Sequence, residues 1–148
     1  MSMDFHTLRY DVDDGVLTLT LDRPAAHNAV NAQMSRELPL AWQRFAEDDS
    51  ALVAIVTGAG EKAFCVGADL ADLPQTDGEQ GAGTLQSIRW SPLQNQVWKP
   101  VICAVNGMAV GGGTIQRECE YAVVDVVAQR LEIHAHSRPR MQTAQPVG

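Results

Sequence analysis

Residues 101–113 read VICAVNGMAVGGG, and this stretch decides how the rest of the chain is interpreted. Residues 101–105 are an apolar run of strand length, followed by a turn signal at residues 106–107 and three glycines at 111–113. Consecutive glycines cost conformational entropy and pack no side chain, so a chain keeps them where the backbone must be approached closely or take unusual dihedrals. Both a tight strand-to-helix packing turn and a backbone site for an oxyanion fit the pattern, because the first N–H groups of a helix lack partners within it.

Composition excludes several classes of function. The 148 residues carry a net charge of −7 and suffice for one domain with a hydrophobic core. Basic residues do not cluster before Arg138 and Arg140, which argues against a nucleic-acid partner. No apolar run approaches the roughly 20 residues of a membrane span, so no membrane partner is expected.

The cysteines and the N-terminus favour a cytoplasmic protein. Cys65, Cys103 and Cys119 are odd in number and lack metal-ligand spacing, so reduced thiols are the simpler expectation. Residues 1–14 contain no basic region followed by an apolar one, which predicts that no signal peptide is present.

The N-terminal third has clear periodicity. Residues 8–21 are predicted to form a β-hairpin around Asp-Asp-Gly at 13–15, because leucines then alternate with polar residues as in a strand with one buried face. Asn31 is a plausible N-cap for an amphipathic helix, which Pro39 is expected to kink or delay. Residues 52–57, LVAIVT, are typical of a strand buried on both faces.

The later segments are less regular. Residues 74–83 are polar and glycine-rich and are predicted to be a mobile loop, while residues 84–97 are predicted to be a helix interrupted by Pro92. Residues 121–127 are a further strand candidate, and residues 131–148 show little periodicity and are expected to form a polar tail. Strands alternating with helices in this order indicate an α/β fold with parallel pairing.

Three stretches, in this order and spacing, resemble the enoyl-CoA hydratase/isomerase (crotonase) superfamily. They are GVLTLTLDRPAAHNAVNAQM at 15–34, LVAIVTGAGEKAFCVGADL at 52–70 and KPVICAVNGMAVGGG at 99–113. The resemblance implies a spiral of β-β-α units, an acyl-CoA thioester as substrate and a homo-oligomer, by family a trimer. Coenzyme A is then part of the substrate, so no separate cofactor or metal is implied. A dinucleotide-binding domain fits less well, because the glycine spacing is not G-x-G-x-x-G.

The resemblance also assigns residues. The thioester oxygen would lie in an oxyanion hole made by the backbone N–H groups of Ala68 and Gly112, and an enolate oxygen needs such preorganised donors. The other positions that the resemblance places at the substrate are Ala25, Ala26, Val66, Asp69, Leu70 and Gly111.

The sequence departs from the family pattern after the glycines. Hydratases of the family use two glutamates. In one alignment the first glutamate corresponds to Ile115. In a second alignment the first corresponds to Thr114 and the second to His134. Neither alignment supplies a carboxylate, and the nearest acidic residues are Glu118 and Glu120. Two interpretations therefore stay open: an enzyme that stabilises a thioester enolate, or a catalytically impaired crotonase-like protein that binds coenzyme A or serves a structural role.

The chain also ends earlier than the resemblance leads one to expect. Residues 1–113 are interpreted as the crotonase-like N-terminal core, and residues 114–148 as an atypical continuation and polar tail, with the C-terminal part of the fold missing or atypical. A natural truncation, a disrupted reading frame and a fragment are equally compatible with this pattern.

Overall fold

The computed structural model describes residues 4–72, 89–111, 122–125 and 132–134. Eight strands and one α-helix lie within these ranges. They are β1 (Leu8–Asp13), β2 (Val16–Leu21), α1 (Ala32–Glu47), β3 (Val53–Gly58), β4 (Ala63–Cys65), β5 (Val101–Val105), β6 (Met108–Ala109), β7 (Ala122–Asp125) and β8 (Glu132–His134). Short 3₁₀ helices span Pro24–Ala26 and Leu93–Asn95.

Two sheets organise the described strands. The larger has the order β1-β2-β3-β5-β7-β8, with parallel pairing from β2 through β7 and an antiparallel strand at each edge. The smaller pairs β4 with β6 in parallel. Parallel neighbours far apart in the chain need crossover connections, and α1 supplies the one between β2 and β3. The α/β class with parallel pairing is confirmed.

The predicted hairpin is β1 and β2. Asp14 and Gly15 both have positive φ, at 45° and 80°, between the paired residues Asp13 and Val16. Positive φ at both central residues is the two-residue turn whose twist matches the flanking strands. The alternating leucines of β2 are fully buried: Leu17, Leu19 and Leu21.

The helix α1 covers one face of the sheet. Asn31 caps it as predicted, because its Oδ1 accepts a hydrogen bond from the N–H of Met34 at 3.0 Å. Pro39 lies inside α1 and does not delay its start at Ala32. The buried face of the helix shares one hydrophobic core with apolar side chains of β2, β3 and β5, and consists of Met34, Leu38, Ala41, Trp42 and Phe45.

The end of α1 is held by a side chain from the segment before β5. Lys99 Nζ donates to the carbonyl oxygens of Phe45, Asp48 and Ala51 at 2.8, 2.7 and 3.0 Å. A cation at the C-terminal end of a helix satisfies carbonyl groups that have no partner within it. Lys99 therefore ties the helix to the start of the central strand.

Some expectations differ from the structure. Over residues 89–97 the described helical element is the 3₁₀ helix Leu93–Asn95 alone, so the helix predicted for 84–97 is wrong there, because Pro92 begins a new turn. Residues 84–88, the predicted loop at 74–83 and the segment after Gly111 up to residue 121 lie outside the described residues.

Beyond the glycines, one expectation is confirmed and one is wrong. The strand candidate at 121–127 is confirmed over its described residues, which form β7 (Ala122–Asp125). The strand β8 pairs with β7 through Val123 and His134, where the pattern predicts a polar tail. Its three residues are too few to show a period, so only the pairing reveals the strand. The division of the chain at residue 113 stays a prediction.

The cysteines also differ in state. Cys65 is a buried free thiol, and burial raises its pKa to about 11. Cys103 is disulfide-bonded, so the expectation of reduced thiols is wrong for that residue. None of the helices among residues 4–72 and 89–111 is long and apolar enough to cross a lipid bilayer.

Candidate functional site

Ala68 lies opposite Val30 in an isolated parallel bridge. The N–H of Val30 donates to the Gly67 oxygen at 2.8 Å, and the N–H of Asp69 donates to the Val30 oxygen at 2.9 Å. In this pairing the N–H of Ala68 points away from Val30, because the bonds to the bridge use the groups on either side of it. Within the described part of the chain, that N–H has no hydrogen-bond acceptor.

The glycine run begins beside this bridge. A Cβ built on Gly111 would lie 3.6 Å from the Gly67 Cα and 3.8 Å from the Val66 oxygen. The contact follows from the small sheet, where the N–H of Val110 donates to the Cys65 oxygen at 3.1 Å. Gly111 has a φ of +56°, a conformation that glycine adopts without strain. Gly112 lies outside the described residues, so its place in the site stays a prediction.

Asn28 is a fully buried polar residue next to the bridge. Its Nδ2 donates to the oxygens of Ala59 and Ala63, both at 2.9 Å, and its Oδ1 accepts from the N–H of Arg23 at 3.0 Å. The two contacts of Nδ2 reach segments that are 31 and 35 residues away, and the contact of Oδ1 is local. One amide therefore connects the turn after β2, the turn after β3 and the start of β4.

Asn106 holds the same turn after β3 from the side of β5. Its Nδ2 donates to the oxygens of Gly58 and Gly60, both at 2.8 Å, and its Oδ1 accepts from the N–H of Gly58 at 3.0 Å. The two asparagines thus fix the loop that leads into the Ala68 segment. The sequence interpretation gave Asn28 no role and treated Asn106 only as part of a turn signal. The position of Asn106 directly after the apolar run 101–105 is the signal that could have pointed to it, whereas the Ala- and Asn-rich segment around Asn28 offers none.

Arg23 links the turn after β2 to the Ala68 segment. Its Nη2 lies 2.9 Å from Asp69 Oδ2, and its Nη1 donates to the Ala29 oxygen at 2.6 Å. The two side chains of the ion pair are 21% and 16% exposed. The hydrogen bond from Arg23 holds the pKa of Asp69 below its ordinary value, so the carboxylate is charged at neutral pH.

Among the described residues, the predicted site positions form two groups, and Leu70 belongs to neither. The structure brings Val66, Ala68 and Gly111 together around Gly67. Ala25 and Ala26 lie in the 3₁₀ helix directly after Arg23, which ties that turn to Asp69. The remaining position, Leu70, is 84% exposed and free of the core.

The predicted substrate role of Asp69 remains a prediction. Its N–H and carboxylate are already hydrogen-bonded within the chain, to Val30, Arg23 and Ala71. The described residues thus supply partners for the N–H and the carboxylate of Asp69 without a ligand.

The acid and base positions are not resolved by this geometry. Ile115, Thr114, Glu118 and Glu120 lie outside the described residues, and His134 is placed only as a backbone position in β8. Among residues 4–72 and 89–111, no cluster of three or more His, Cys, Asp or Glu side chains could hold a metal ion.

The sheet order, the bridge at Ala68 and the adjacent Gly111 fit the α/β fold that the crotonase resemblance implies. A family model described as enoyl-CoA hydratase/isomerase matches residues 11–133, which is more than half of the chain. The chain belongs to the enoyl-CoA hydratase/isomerase family.

Curated relatives agree with this assignment. The chain is 35% identical over 120 residues to an (E)-benzylidenesuccinyl-CoA hydratase of Thauera aromatica, with 80% of this chain and 47% of the relative covered. It is 46% identical over 101 residues to a carnitinyl-CoA dehydratase of Proteus mirabilis, with 66% and 37% covered. The chain thus spans about half the length, or less, of these relatives.

Solved structures show the same fold. An enoyl-CoA hydratase/isomerase from Mycobacterium paratuberculosis matches with a TM-score of 0.69 and 31% identity, over 81% of this chain and 48% of that one. An enoyl-CoA hydratase from Bacillus anthracis matches with a TM-score of 0.68 and 30% identity, over 80% and 51%. This chain thus spans about half of each of these two solved chains.

Proposed function

We propose that this chain carries an acyl-CoA thioester site of the enoyl-CoA hydratase/isomerase type. The backbone N–H groups of Ala68 and Gly112 bind the thioester oxygen and stabilise the enolate that forms when the α-carbon loses a proton. The observation that carries the proposal is the Ala68 N–H, which is turned away from Val30 and has no acceptor among the described residues.

The chemistry follows from the direction of charge flow. In the ground state the thioester oxygen carries a partial charge, and in the enolate it carries most of a full one. A preorganised N–H therefore binds the transition state more strongly than the substrate, which raises the rate. Removing one such donor from an oxyanion hole costs about 3 kcal/mol.

The surroundings suit a thioester. Ala68 has a small side chain and Gly111 has none, so the thioester carbonyl of a substrate can approach the Ala68 N–H closely. Leu70 and Ala25 are exposed and available to a bulky coenzyme. The named relatives act on benzylidenesuccinyl-CoA and carnitinyl-CoA, which supports a coenzyme A thioester as the ligand class. The proposed setting is fatty-acid or related acyl-CoA metabolism in the cytoplasm, with a homo-oligomer as the working form.

A second candidate function is binding without turnover. The observation that favours it is the lack of a carboxylate at either glutamate position, where Ile115 or Thr114 stands first. Neither residue exchanges a proton at neutral pH, because isoleucine has no acidic group and the threonine hydroxyl is a poor base. The enzyme interpretation then needs an acid or base from elsewhere.

Two assays on the 148-residue chain separate these candidates: binding of acetoacetyl-CoA and hydration of crotonyl-CoA. Turnover that Ala68→Pro and Gly112→Pro abolish supports the enzyme. Binding without turnover supports the second candidate, and no binding overturns the ligand for both. Ala68→Gly is the matched control, because it keeps the N–H that proline removes.

A further inference from the structure

The Ala68–Val30 bridge is held by few contacts of its own. It is isolated from the named strands, and two backbone hydrogen bonds, from Val30 to Gly67 and from Asp69 to Val30, form it. A pair of this kind has no ladder on either side to keep its register. The direction of the Ala68 N–H therefore depends on the side-chain contacts that join the Val30 segment to the Ala68 segment.

One guanidinium joins the residues that directly flank the bridge, and an exposed hydrogen bond from Asn31 Nδ2 to Asp72 Oδ2 at 3.1 Å joins the same two segments further along. Arg23 Nη1 bonds to the oxygen of Ala29, the residue before Val30, and Nη2 bonds to the carboxylate of Asp69, the residue after Ala68. The two contacts, at 2.6 and 2.9 Å, are made to the two opposite segments of the bridge. The rigid fork of arginine can make both at once, which a lysine ammonium on a flexible stem does less well.

The base of this clamp is itself fixed. The N–H of Arg23 donates to buried Asn28 Oδ1 at 3.0 Å, and the Arg23 oxygen accepts from the N–H groups of Ala26 and Asn28, both at 2.9 Å. The side chain thus extends from a rigid turn toward the bridge. Because the ion pair is mostly shielded from solvent, it holds its geometry better than an exposed pair does.

We infer that Arg23 is a positioning residue: its guanidinium clamps Ala29 to Asp69 and thereby fixes the direction of the Ala68 N–H. The guanidinium contacts no reacting atom in this role. Arg23 makes both contacts of the clamp without a ligand. The effect of the clamp on a bound thioester rests on the proposed function.

The first test needs no ligand. Amide hydrogen exchange of Val30 and Asp69, measured by NMR on the 148-residue chain, reports on the two bridge hydrogen bonds. Arg23→Ala should speed exchange at these two amides about tenfold relative to the amides of β2 and β3, which is the scale of one charge-assisted hydrogen bond. Arg23→Lys should give an intermediate value.

Arg9→Ala is the matched control. Arg9 Nε pairs with Asp22 Oδ2 at 3.0 Å, one residue before Arg23, but that pair is 55% and 35% exposed and does not contact the bridge. Equal exchange at Val30 and Asp69 in the Arg23→Ala, Arg9→Ala and unaltered chains overturns the inference. If Arg23→Ala does not fold, the same comparison between Arg23→Lys and Arg9→Ala decides it.

The second test uses acetoacetyl-CoA labelled with ¹³C at the thioester carbonyl. Binding to the unaltered chain should lower the infrared stretching frequency of that carbonyl, because an N–H donor polarises it. Arg23→Ala should return the frequency toward the free value while Kd changes less than about threefold, since the clamp orients the donor and does not bind the coenzyme. An unchanged frequency in Arg23→Ala contradicts the inference. If the unaltered chain binds no acyl-CoA, the proposed function fails, and the exchange experiment alone decides the role of Arg23.

Discussion

Gly111 lies against Gly67, at a distance where a Cβ on Gly111 would meet the Gly67 Cα at 3.6 Å. The two residues belong to motifs that are far apart in the chain, one after β4 and the other after β6. The parallel pairing of β4 with β6 brings them together and sets the first glycine of the run beside the Ala68 bridge. The candidate site is therefore a product of the small sheet as much as of the large one.

Gly58, at the end of β3, should tolerate no side chain. A Cβ there would lie 2.5 Å from the Phe64 oxygen and 2.7 Å from the Ala63 oxygen, and neither backbone atom can move cheaply. We expect Gly58→Ala to lower the free energy of unfolding by about 3 kcal/mol, the upper range of overpacking costs. Urea denaturation measures this change. Gly15→Asn in the hairpin turn is the control and should cost less than about 1 kcal/mol, because Asn tolerates positive φ. Equal losses of unfolding free energy in the two variants would show that the backbone around Gly58 shifts to accommodate a Cβ.

Glu37 should make stability depend on pH. Its buried carboxylate accepts hydrogen bonds from the N–H groups of His6 and Thr7, the Thr7 hydroxyl and Gln33 Nε2. Burial raises the pKa of Glu37, but these hydrogen bonds outweigh it and leave the pKa below its ordinary value of 4.5. Because the folded pKa is depressed, the stabilisation is complete above the unfolded pKa and is lost as the pH falls through the folded one.

The measurement compares Glu37→Gln with the unaltered chain between pH 7 and pH 3. We expect a loss of about 2 kcal/mol at pH 7, which shrinks as the unaltered carboxylate becomes protonated. Glu47→Gln is the control on the same helix, since Glu47 is exposed and should cost less than about 0.5 kcal/mol. A cost for Glu37→Gln that stays constant with pH would contradict the prediction.

Asn28 should not accept replacement by its own isostere. In the unaltered chain, Asn28 Nδ2 donates to the Ala59 and Ala63 oxygens, both at 2.9 Å. In Asn28→Asp, a carboxylate oxygen would replace Nδ2 and face the same two oxygens. A buried acceptor opposite two acceptors should destabilise the fold by about 3 kcal/mol or more at pH 7, with partial recovery at low pH. Thermal unfolding measures the effect. Asn31→Asp keeps the acceptor that caps α1 and loses the exposed hydrogen bond from Nδ2 to Asp72 Oδ2, so it should cost less than about 1 kcal/mol. Similar losses for both variants would refute the role assigned to Asn28.

Cys65 should be chemically inert in the folded chain. Because burial raises its pKa to about 11, roughly one molecule in a thousand carries the reactive thiolate at pH 8. We expect iodoacetamide to leave Cys65 unmodified over hours in native buffer and to modify it within minutes in guanidinium chloride, as read by peptide mass spectrometry. Leu52→Cys places a thiol at an exposed site and is the control that should react in native buffer. Rapid native labelling of Cys65 would mean that β4 opens locally.

The sequence by itself determined the elements with strong local signals. The Asp14-Gly15 turn, the alternating leucines of β2 and the cap at Asn31 specify their structures through backbone dihedrals, burial and one side-chain hydrogen bond. Each depends on neighbours within a few residues, so a linear pattern carries it. The motifs around Ala68 and the glycine run likewise identified the family.

Only the tertiary structure decided how those motifs become a site. The bridge of Ala68 to Val30, the approach of Gly111 to Gly67 and the reach of Arg23 to Asp69 join residues whose order in the chain does not predict their distance. The strand β8 was invisible for the same reason, since three residues show no period until β7 supplies their hydrogen bonds. Long-range pairing depends on how the sheets assemble, and this is why the direction of one N–H group could be read only from the fold.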